Sequence, residues 1–232
     1  MIPLRDNNPS QTTPLVNYVI IGINVLAFLI EQSFGRHFDD VIFSLGVIPA
    51  RFLHDVASSN IQIATFTPFF TSMFLHGGWW HLFSNMLFLY IFGDNVEDRF
   101  GHFPYALFYL VAGFAAAGTQ VFMNPDSATP MVGASGAIAG VLGAYTFMFP
   151  KAKVATLIPI FFLQVVELPA FLFLGFWFLM QIFSGVMSLG IGADAGGVAW
   201  WAHIGGFAVG AIAFLFLRKR PTHVYESDET YR

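Results

Sequence analysis

Six long apolar segments separated by shorter polar stretches set the pattern of this chain. The segments cover residues 16–34, 80–98, 103–123, 134–149, 168–189 and 200–217. Each approaches the roughly 20 residues that a helix needs to cross the hydrocarbon core of a bilayer. Helices satisfy their own backbone hydrogen bonds there. The pattern therefore predicts an all-α, polytopic membrane protein with a six-transmembrane-helix bundle.

The remaining stretches divide the chain around one membrane domain. Residues 1–14 are polar and lack the composition of a cleaved signal peptide, so the first apolar segment is expected to stay as an anchor. Residues 15–218 form the predicted membrane domain, and residues 219–232 a flexible cytoplasmic tail. The gap 34–79 mixes charged and aromatic residues, which predicts short helices on the bilayer surface. The proline-broken stretch 150–169 is interpreted as an interfacial lead-in to the fifth span.

Composition narrows the class of protein further. Apolar residues make up 56% of the chain and charged residues only 10%, with 29 Phe, and the mean hydropathy is +0.66. No ordinary soluble protein has this composition. The absence of Cys excludes disulfides, thiolate chemistry and Cys-based zinc sites. The net charge of −4 includes no basic patch, so no nucleic-acid partner is expected.

The distribution of basic residues predicts the orientation in the membrane. With a cytoplasmic N-terminus and six spans, only Arg36 and Arg51 fall on the outer side. The other basic residues fall inside: Arg5, Arg99, Lys151, Lys153, Arg218, Lys219, Arg220 and Arg232. This bias follows the positive-inside rule, so both termini are predicted to be cytoplasmic.

A serine and a histidine interrupt two of the apolar segments. Ser135 lies in Gly-Ala-Ser-Gly and His203 in Ala-His-Ile-Gly-Gly, each near the start of its segment. A rise of 1.5 Å per residue puts Ser135 about 24 Å from Lys151 and His203 about 22 Å from Arg218. The two side chains are therefore expected at matching depth, where a nucleophile and a base could meet.

The second segment adds polar side chains at a similar level. His81 and Asn85 are spaced i,i+4 and share one helical face, about 24 Å and about 18 Å from Glu97. A serine hydrolase needs a nucleophile, a base and donors for the oxyanion. Ser135 and His203 are the predicted nucleophile and base; His81, Asn85 and the backbone N–H of Ser135 form the predicted oxyanion hole.

The polar residues also predict a dyad and argue against metal chemistry. The acidic residue nearest to His203 along the chain is Asp194 in an outer loop, so a dyad is favoured over a triad. His76 and His81 are five residues apart and face different sides of a helix. The metalloprotease pattern His-Glu-x-x-His is absent. We therefore expect no metal or other cofactor, and structural roles for His76, Glu97 and Glu167.

Small residues predict how the nucleophile and base approach one another. Gly206 and Gly210 form a small-xxx-small face below His203, and Gly136 and Gly140 lie below Ser135. Such faces allow two helices to pack backbone against backbone. The fourth and sixth spans are expected to touch in this way.

Taken together, these residues resemble the rhomboid family of intramembrane serine proteases, over a region from about Phe66 to Arg218. The matching motifs are FLHGGWWHLFSN at 74–85, GDNVEDRFG at 93–101, GASG at 133–136, VELPA at 166–170 and AHIGG at 202–206, with Gly210. The resemblance implies a six-helix fold with Ser135 as nucleophile, His203 as base, and His81 and Asn85 in the oxyanion hole. It also implies a cap loop at about 189–200 and substrates that enter sideways from the lipid near the fifth span. The expected location is a bacterial inner (plasma) membrane.

Two positions depart from the family pattern. Ala139 stands where many members carry an aromatic residue that packs on the catalytic histidine. The orientation of His203 must then come from elsewhere, for example from Trp200 or Trp201. The first outer loop also lacks the Trp-Arg pair common in the family, which leaves the anchoring of that loop undetermined.

The function expected from these residues is an endopeptidase that cleaves transmembrane segments near the outer membrane face through an acyl-enzyme. A catalytically inactive rhomboid-like binder of transmembrane helices is the alternative, and retention of both Ser135 and His203 argues against it. A channel or transporter with a histidine relay is a third class. The absence of an array of intramembrane charges argues against a transporter. A serine among small residues, taken alone, is usually a packing residue.

Overall fold

The computed structural model describes residues 1–160, 162–191 and 197–216. In these ranges the elements are β1 (Ile2–Asp6), α1 (Leu15–Ser33), α2 (Phe38–Leu45), α3 (Pro49–Ala57), α4 (Ile63–Thr71), α5 (Trp79–Phe100), α6 (His102–Met123), α7 (Ser135–Met148), β2 (Lys153–Ile160), β3 (Phe162–Pro169), α8 (Ala170–Ile191) and α9 (Trp200–Phe216). The predicted tail and the centre of the predicted cap loop lie outside the described residues.

The six predicted apolar segments correspond to helices α1, α5, α6, α7, α8 and α9, with ends that agree within two residues. Among the described helices, three are long and apolar enough to cross a membrane: α1, α6 and residues 170–189 of α8. Helices α7 and α9 are shorter, and α5 carries charged residues near its end. The chain is therefore a mostly helical membrane protein, and the number of six crossings stays a prediction.

The chain is mostly helical, as predicted, but the fold is not purely α-helical, because the structure contains an antiparallel sheet in the order β1-β2-β3. Strands β2 and β3 form a hairpin, and Ile2 of β1 lies opposite Leu157 of β2. In β2, Val154 and Thr156 are fully buried, whereas Lys153 is exposed and Ala155 is partly exposed. This alternation has the two-residue period of a strand. The stretch interpreted as an interfacial lead-in is thus a β-hairpin that residues 2–6 extend.

The prolines of residues 150–169 explain why the hairpin is not evident from the sequence. Pro159 lies next to the hairpin end and Pro169 is the last residue of β3. Proline is tolerated near strand ends, where the missing N–H removes little of the ladder. Prolines disfavour a helix here but permit a strand, and they do not by themselves distinguish a strand from an irregular stretch.

Helix α7 lies at the centre of the molecule, with eleven of its fourteen residues buried. Its contact with α9 is made by backbone. A Cβ added to Gly206 would stand 2.0 Å from the carbonyl oxygen of Gly136, and one on Gly210 would stand 1.9 Å from that of Gly140. No side chain fits at these points, so the glycines set the distance between the two helices.

Helix α1 is tied to α5 by the fully buried carboxylate of Glu97. Its oxygens accept from the backbone N–H groups of Val16 at 3.0 Å and Asn17 at 2.7 Å. These amides lie in the first turn of α1, where no intrahelical acceptor exists and a negative charge is favoured. Glu97 therefore has the structural position that the sequence suggested.

Short helices occupy the segment between α1 and α5, as its composition predicts: α2, α3, α4 and the 3₁₀ turns Gly35–His37 and Ser72–Phe74. Arg51 anchors the segment by donating to the carbonyl oxygens of Phe43 at 2.8 Å and Gly46 at 2.9 Å. Thr71 donates to Leu45 at 2.7 Å. These contacts hold a loop that lacks the Trp-Arg pair of the family pattern.

Candidate active site

Ser135 is the first residue of α7. The loop before it is held by backbone hydrogen bonds to the segment between α1 and α5. Val47 and Met131 exchange two backbone hydrogen bonds, of 3.1 and 2.7 Å, and Gly133 donates its N–H to Ser72 at 2.8 Å. The segment between α1 and α5 thus holds the loop by its backbone. This arrangement sets the position of Ser135 at the start of the helix.

Gly133 turns the chain into α7 in a conformation that only glycine adopts easily. Its φ is +124°, and an added Cβ would lie 2.6 Å from Nε2 of His81. Positive φ is costly for residues with a Cβ. The loop therefore passes directly against the His81 ring because residue 133 has no side chain.

The structure brings Ser135 and His203 into contact. Nε2 of His203 lies 2.8 Å from Oγ of Ser135, although the two residues are 68 positions apart in the chain. His203 lies in the first turn of α9 and is only 8% exposed. Equal depth in the membrane does not by itself bring Ser135 and His203 together. The close packing of α7 against α9 does so.

Helix α8 supplies two contacts to His203 that the sequence reasoning missed. Nδ1 of His203 lies 2.8 Å from Oε1 of Gln181. The ring of Trp177, one turn earlier on α8, lies against the imidazole with a centroid distance of 5.7 Å and an interplanar angle of 38°. A buried glutamine within an apolar span is the signal that could have identified Gln181.

Trp200 and Trp201, which the sequence suggests could orient His203, differ in their contacts. Trp200 makes an edge contact with the imidazole, with centroids 6.4 Å apart at 87°. The buried indole N–H of Trp201 has no hydrogen-bond partner among the described residues. Trp200 therefore contributes a ring contact, while the side-chain hydrogen bond to His203 comes from α8.

His81 and Asn85 face the loop that precedes Ser135. The Cβ position of Gly133 would lie 2.6 Å from His81 Nε2 and 3.7 Å from Asn85 Nδ2. Nδ1 of His81 accepts from the N–H of Gly77 at 3.3 Å, so Nε2 carries the proton in the neutral ring. Asn85 Nδ2 is buried with no partner among the described residues. Two donors thus point toward the start of α7.

His76 supports the His81 region from the segment before α5. It is fully buried, and its backbone N–H donates to Glu31 Oε2 at 3.1 Å. Its ring makes an edge contact with the ring of His81, with centroids 5.1 Å apart. Burial, with His81 nearby, lowers the pKa of His76 to about 3, so the imidazole is neutral at neutral pH. A structural role for His76 agrees with this geometry.

A cavity of about 340 Å³ joins these groups. Its wall includes Ser135, His203, His81, Asn85 and Trp177. The volume is within the range of pockets that bind small ligands. A serine hydroxyl, an imidazole and an amide N–H₂ without a partner among the described residues therefore line one hollow, an arrangement that acyl transfer could use.

Comparison with known proteins gives a consistent picture. The family model described as "Rhomboid domain" matches residues 64–220. The chain is 27% identical over 216 residues to the mitochondrial rhomboid protein 1 of Saccharomyces cerevisiae, covering 87% of this chain and 53% of that protein. It is 32% identical over 180 residues to the mitochondrial RHOMBOID-like protein 12 of Arabidopsis thaliana, covering 71% and 50%.

A bacterial protein is also similar. The chain is 31% identical over 138 residues to the rhomboid protease GluP of Bacillus subtilis, covering 58% of this chain and 25% of that protein. The chain spans about half the length, or less, of the curated relatives that it matches.

Proposed function

Because the chain belongs to the rhomboid family of membrane proteins, we propose that it is an intramembrane serine endopeptidase that cleaves transmembrane segments of other membrane proteins. The observation that carries the proposal is the 2.8 Å contact between Ser135 Oγ and His203 Nε2. It lies in a cavity that also contains Nδ2 of Asn85, which has no hydrogen-bond partner in the part of the chain that the structure describes.

In the proposed acylation, Ser135 Oγ attacks the carbonyl carbon of the scissile peptide bond, and its proton passes to His203 Nε2. Asn85 Nδ2, His81 Nε2 and the backbone N–H of Ser135 donate to the oxyanion that forms. The C–N bond then breaks, and His203 returns the proton to the leaving amine. The product is an ester between Ser135 and the N-terminal part of the substrate.

Deacylation repeats these steps with water as the nucleophile. His203 takes a proton from water as the water oxygen attacks the ester carbonyl. Collapse of the second tetrahedral intermediate returns the proton to Ser135 Oγ and releases a carboxylic acid. The cycle needs no metal or cofactor, since serine and histidine provide both nucleophile and acid–base group.

The proposed substrates are transmembrane helices of membrane proteins, cut near the outer membrane face. A peptide bond inside a helix is hydrogen-bonded and cannot present its carbonyl carbon to Ser135 until the helix opens locally. Substrates with helix-breaking residues near the cleavage site should therefore be cleaved faster. The partners are such helices and membrane lipid, with no nucleic acid.

The proposed topology has six crossings with both termini cytoplasmic, in a bacterial plasma membrane. Pairing of β1 with β2 puts the N-terminal strand and the connection between α7 and α8 at one end of the molecule. The Val47–Met131 bridge joins the α1–α5 and α6–α7 connections. The positive-inside count assigns the end with the sheet to the cytoplasm. Ser135 then lies toward the outer face.

The proposal is tested with the purified full chain in liposomes that contain a labelled single-span substrate. Ser135→Ala and His203→Ala should reduce cleavage to background, and a fluorophosphonate should label the parent but not Ser135→Ala. Ser188→Ala is the matched control, since this buried serine of α8 donates only to Gly185 within its own helix. Its activity should equal that of the parent.

Two other outcomes have clear meanings. If Ser135→Ala and His203→Ala cleave as well as the parent, the peptidase proposal is wrong. If the parent binds the substrate helix, cleaves nothing and resists the fluorophosphonate, the protein is a rhomboid-like binder. A chelator should leave the activity of the parent unchanged.

A further inference from the structure

Gln181 contacts the nitrogen of His203 that faces away from Ser135. Its Oε1 lies 2.8 Å from His203 Nδ1, while His203 Nε2 lies 2.8 Å from Ser135 Oγ. Gln181 is 6% exposed and belongs to α8, whereas the other two residues belong to α9 and α7. Three helices thus contribute one side chain each to a continuous hydrogen-bonded row.

A second hydrogen bond decides which end of the Gln181 amide faces the imidazole. Its Nε2 donates to the backbone carbonyl of Trp177, one turn earlier in α8, at 3.2 Å. The oxygen therefore points to His203, and an amide oxygen can only accept. His203 must then carry its proton on Nδ1, which leaves the lone pair of Nε2 directed at the Ser135 hydroxyl.

We propose that Gln181 is a positioning residue that holds His203 in the tautomer and ring orientation able to accept the proton of Ser135. This role rests on the proposed peptidase function. A histidine with its proton on the other nitrogen would offer an N–H to Ser135 and could not act as a general base. The hydrogen bond from Nδ1 excludes that state.

The site explains why an amide is suitable in this position. Helices α8 and α9 contain no Lys or Arg, so an ionised carboxylate buried between them would have only a protonated His203 as its countercharge. An amide fixes the tautomer without a buried charge. An amide stabilises the imidazolium less than a carboxylate would, so proton transfer from Ser135 to His203 is expected to be slow.

Trp177 completes the support of the imidazole from the same helix. Its ring lies 5.7 Å from that of His203, centroid to centroid. The position where the family often has an aromatic residue is here Ala139, which is fully buried. One turn of α8 therefore supplies both the hydrogen bond and the aromatic contact that orient the base.

The test compares Gln181→Leu, which removes the acceptor, with Gln181→Glu, which keeps it. For Gln181→Leu we expect kcat for substrate cleavage in liposomes to fall about 10- to 100-fold with KM changed less than about twofold. Gln181→Glu should recover much of the kcat. Its pH–rate profile should have the acid limb at higher pH, because a carboxylate beside Nδ1 favours the protonated imidazole.

Gln120→Leu is the matched control. Gln120 is also buried, and its Oε1 accepts from the backbone N–H of Ala202, one residue before His203, at 3.2 Å. It supports the first turn of α9 without a hydrogen bond to the imidazole. Its loss should lower the thermal stability of the protein while leaving the pH–rate profile in place.

Two results would overturn the role of Gln181. One is a Gln181→Leu protein with the kcat and pH–rate profile of the parent, while Ser135→Ala is inactive; the peptidase function would then stand. The other comes from nitrogen NMR of the parent labelled with ¹⁵N-histidine, which needs neither turnover nor a stable Gln181 variant. The His203 signals, assigned by their loss in His203→Asn, should show a protonated Nδ1 at neutral pH, and a protonated Nε2 would contradict the proposal.

Activity of Ser135→Ala equal to that of the parent would be a different failure. It would remove the proposed peptidase function. The NMR measurement would still report whether His203 is in the tautomer that the contact with Gln181 requires.

Discussion

Among single residues, the polar groups around Ser135 differ in whether they already have hydrogen-bond partners within the protein. His203 has a partner on each ring nitrogen, but Asn85 Nδ2 is buried with none among the described residues. An unsatisfied buried donor costs about 1–3 kcal/mol. Such a cost is expected where a reaction intermediate supplies the missing acceptor, as an oxyanion would.

We therefore predict that Asn85→Ala lowers kcat for substrate cleavage by about 10²- to 10³-fold, because a donor to the oxyanion is lost. KM should change little, since the ground-state carbonyl carries less charge than the oxyanion. Asn60→Ala is the control. Asn60 is exposed between α3 and α4, so the variant should retain the kcat of the parent. An Asn85→Ala enzyme with the parent kcat would exclude Asn85 from the oxyanion hole.

The identity of the residue that orients His203 shows the limit of sequence reasoning at this scale. Trp200 and Trp201, the residues that the sequence suggests for this role, lie close to His203 in the chain. The hydrogen bond comes instead from Gln181, 22 residues earlier and on another helix. Sequence position does not determine which side chain of α8 faces α9, because that depends on how the two helices pack.

At the scale of elements, the contact between α7 and α9 depends on residues without side chains. Gly206 and Gly210 approach the carbonyl oxygens of Gly136 and Gly140, respectively, too closely for any Cβ. In a membrane, association of helices depends on such close packing because lipid provides little hydrophobic drive. The same contact sets the distance between Ser135 and His203.

We predict that Gly206→Ala destabilises the protein by about 1–3 kcal/mol, because the added methyl forces α9 away from α7. Cleavage activity should fall with it. Gly175→Ala on α8 is the matched control, since no atom lies within 4 Å of its Cβ position. Unfolding in detergent, followed by circular dichroism against denaturant, measures both variants, and equal stability of the two would contradict the prediction.

The capping of the first turn of α1 by Glu97 leads to a second prediction, which concerns the stability of the protein. Glu97→Ala should destabilise the protein by about 1–3 kcal/mol, because it leaves the N–H groups of Val16 and Asn17 without acceptors. Glu167→Ala should change the stability by less than about 1 kcal/mol, because its ion pair with Lys153 is exposed. Unfolding by denaturant compares the two; a smaller effect at Glu97 than at Glu167 would refute the capping role.

At the scale of the whole molecule, the two ends of the bundle differ in what connects the helices. One end has the three-stranded sheet, to which residues 2–6 contribute a strand. The other has the short helices between α1 and α5, joined to the loop before Ser135. Of the Lys and Arg residues that the structure describes, Arg5 and Lys153 lie in the sheet and Lys151 lies just before it, which favours the cytoplasmic side for that end.

Because the chain contains no Cys, single cysteines test this orientation directly. Gln11→Cys lies after β1, and Ala57→Cys lies at the end of α3; both positions are exposed. In intact cells, a membrane-impermeant maleimide should label Ala57→Cys and should reach Gln11→Cys only after the membrane is permeabilised. The reverse pattern would place the candidate active site toward the cytoplasm.

The amino-acid pattern is sufficient to predict the membrane class, the positions of the long helices, and the matching depth of Ser135 and His203. These properties follow from local hydropathy and from the fixed rise of a helix. The pairing of β1 with β2 and the contact between Gln181 and His203 become evident only in the folded chain. Both contacts join residues distant in the chain, and their formation depends on how whole elements pack, which no local pattern specifies.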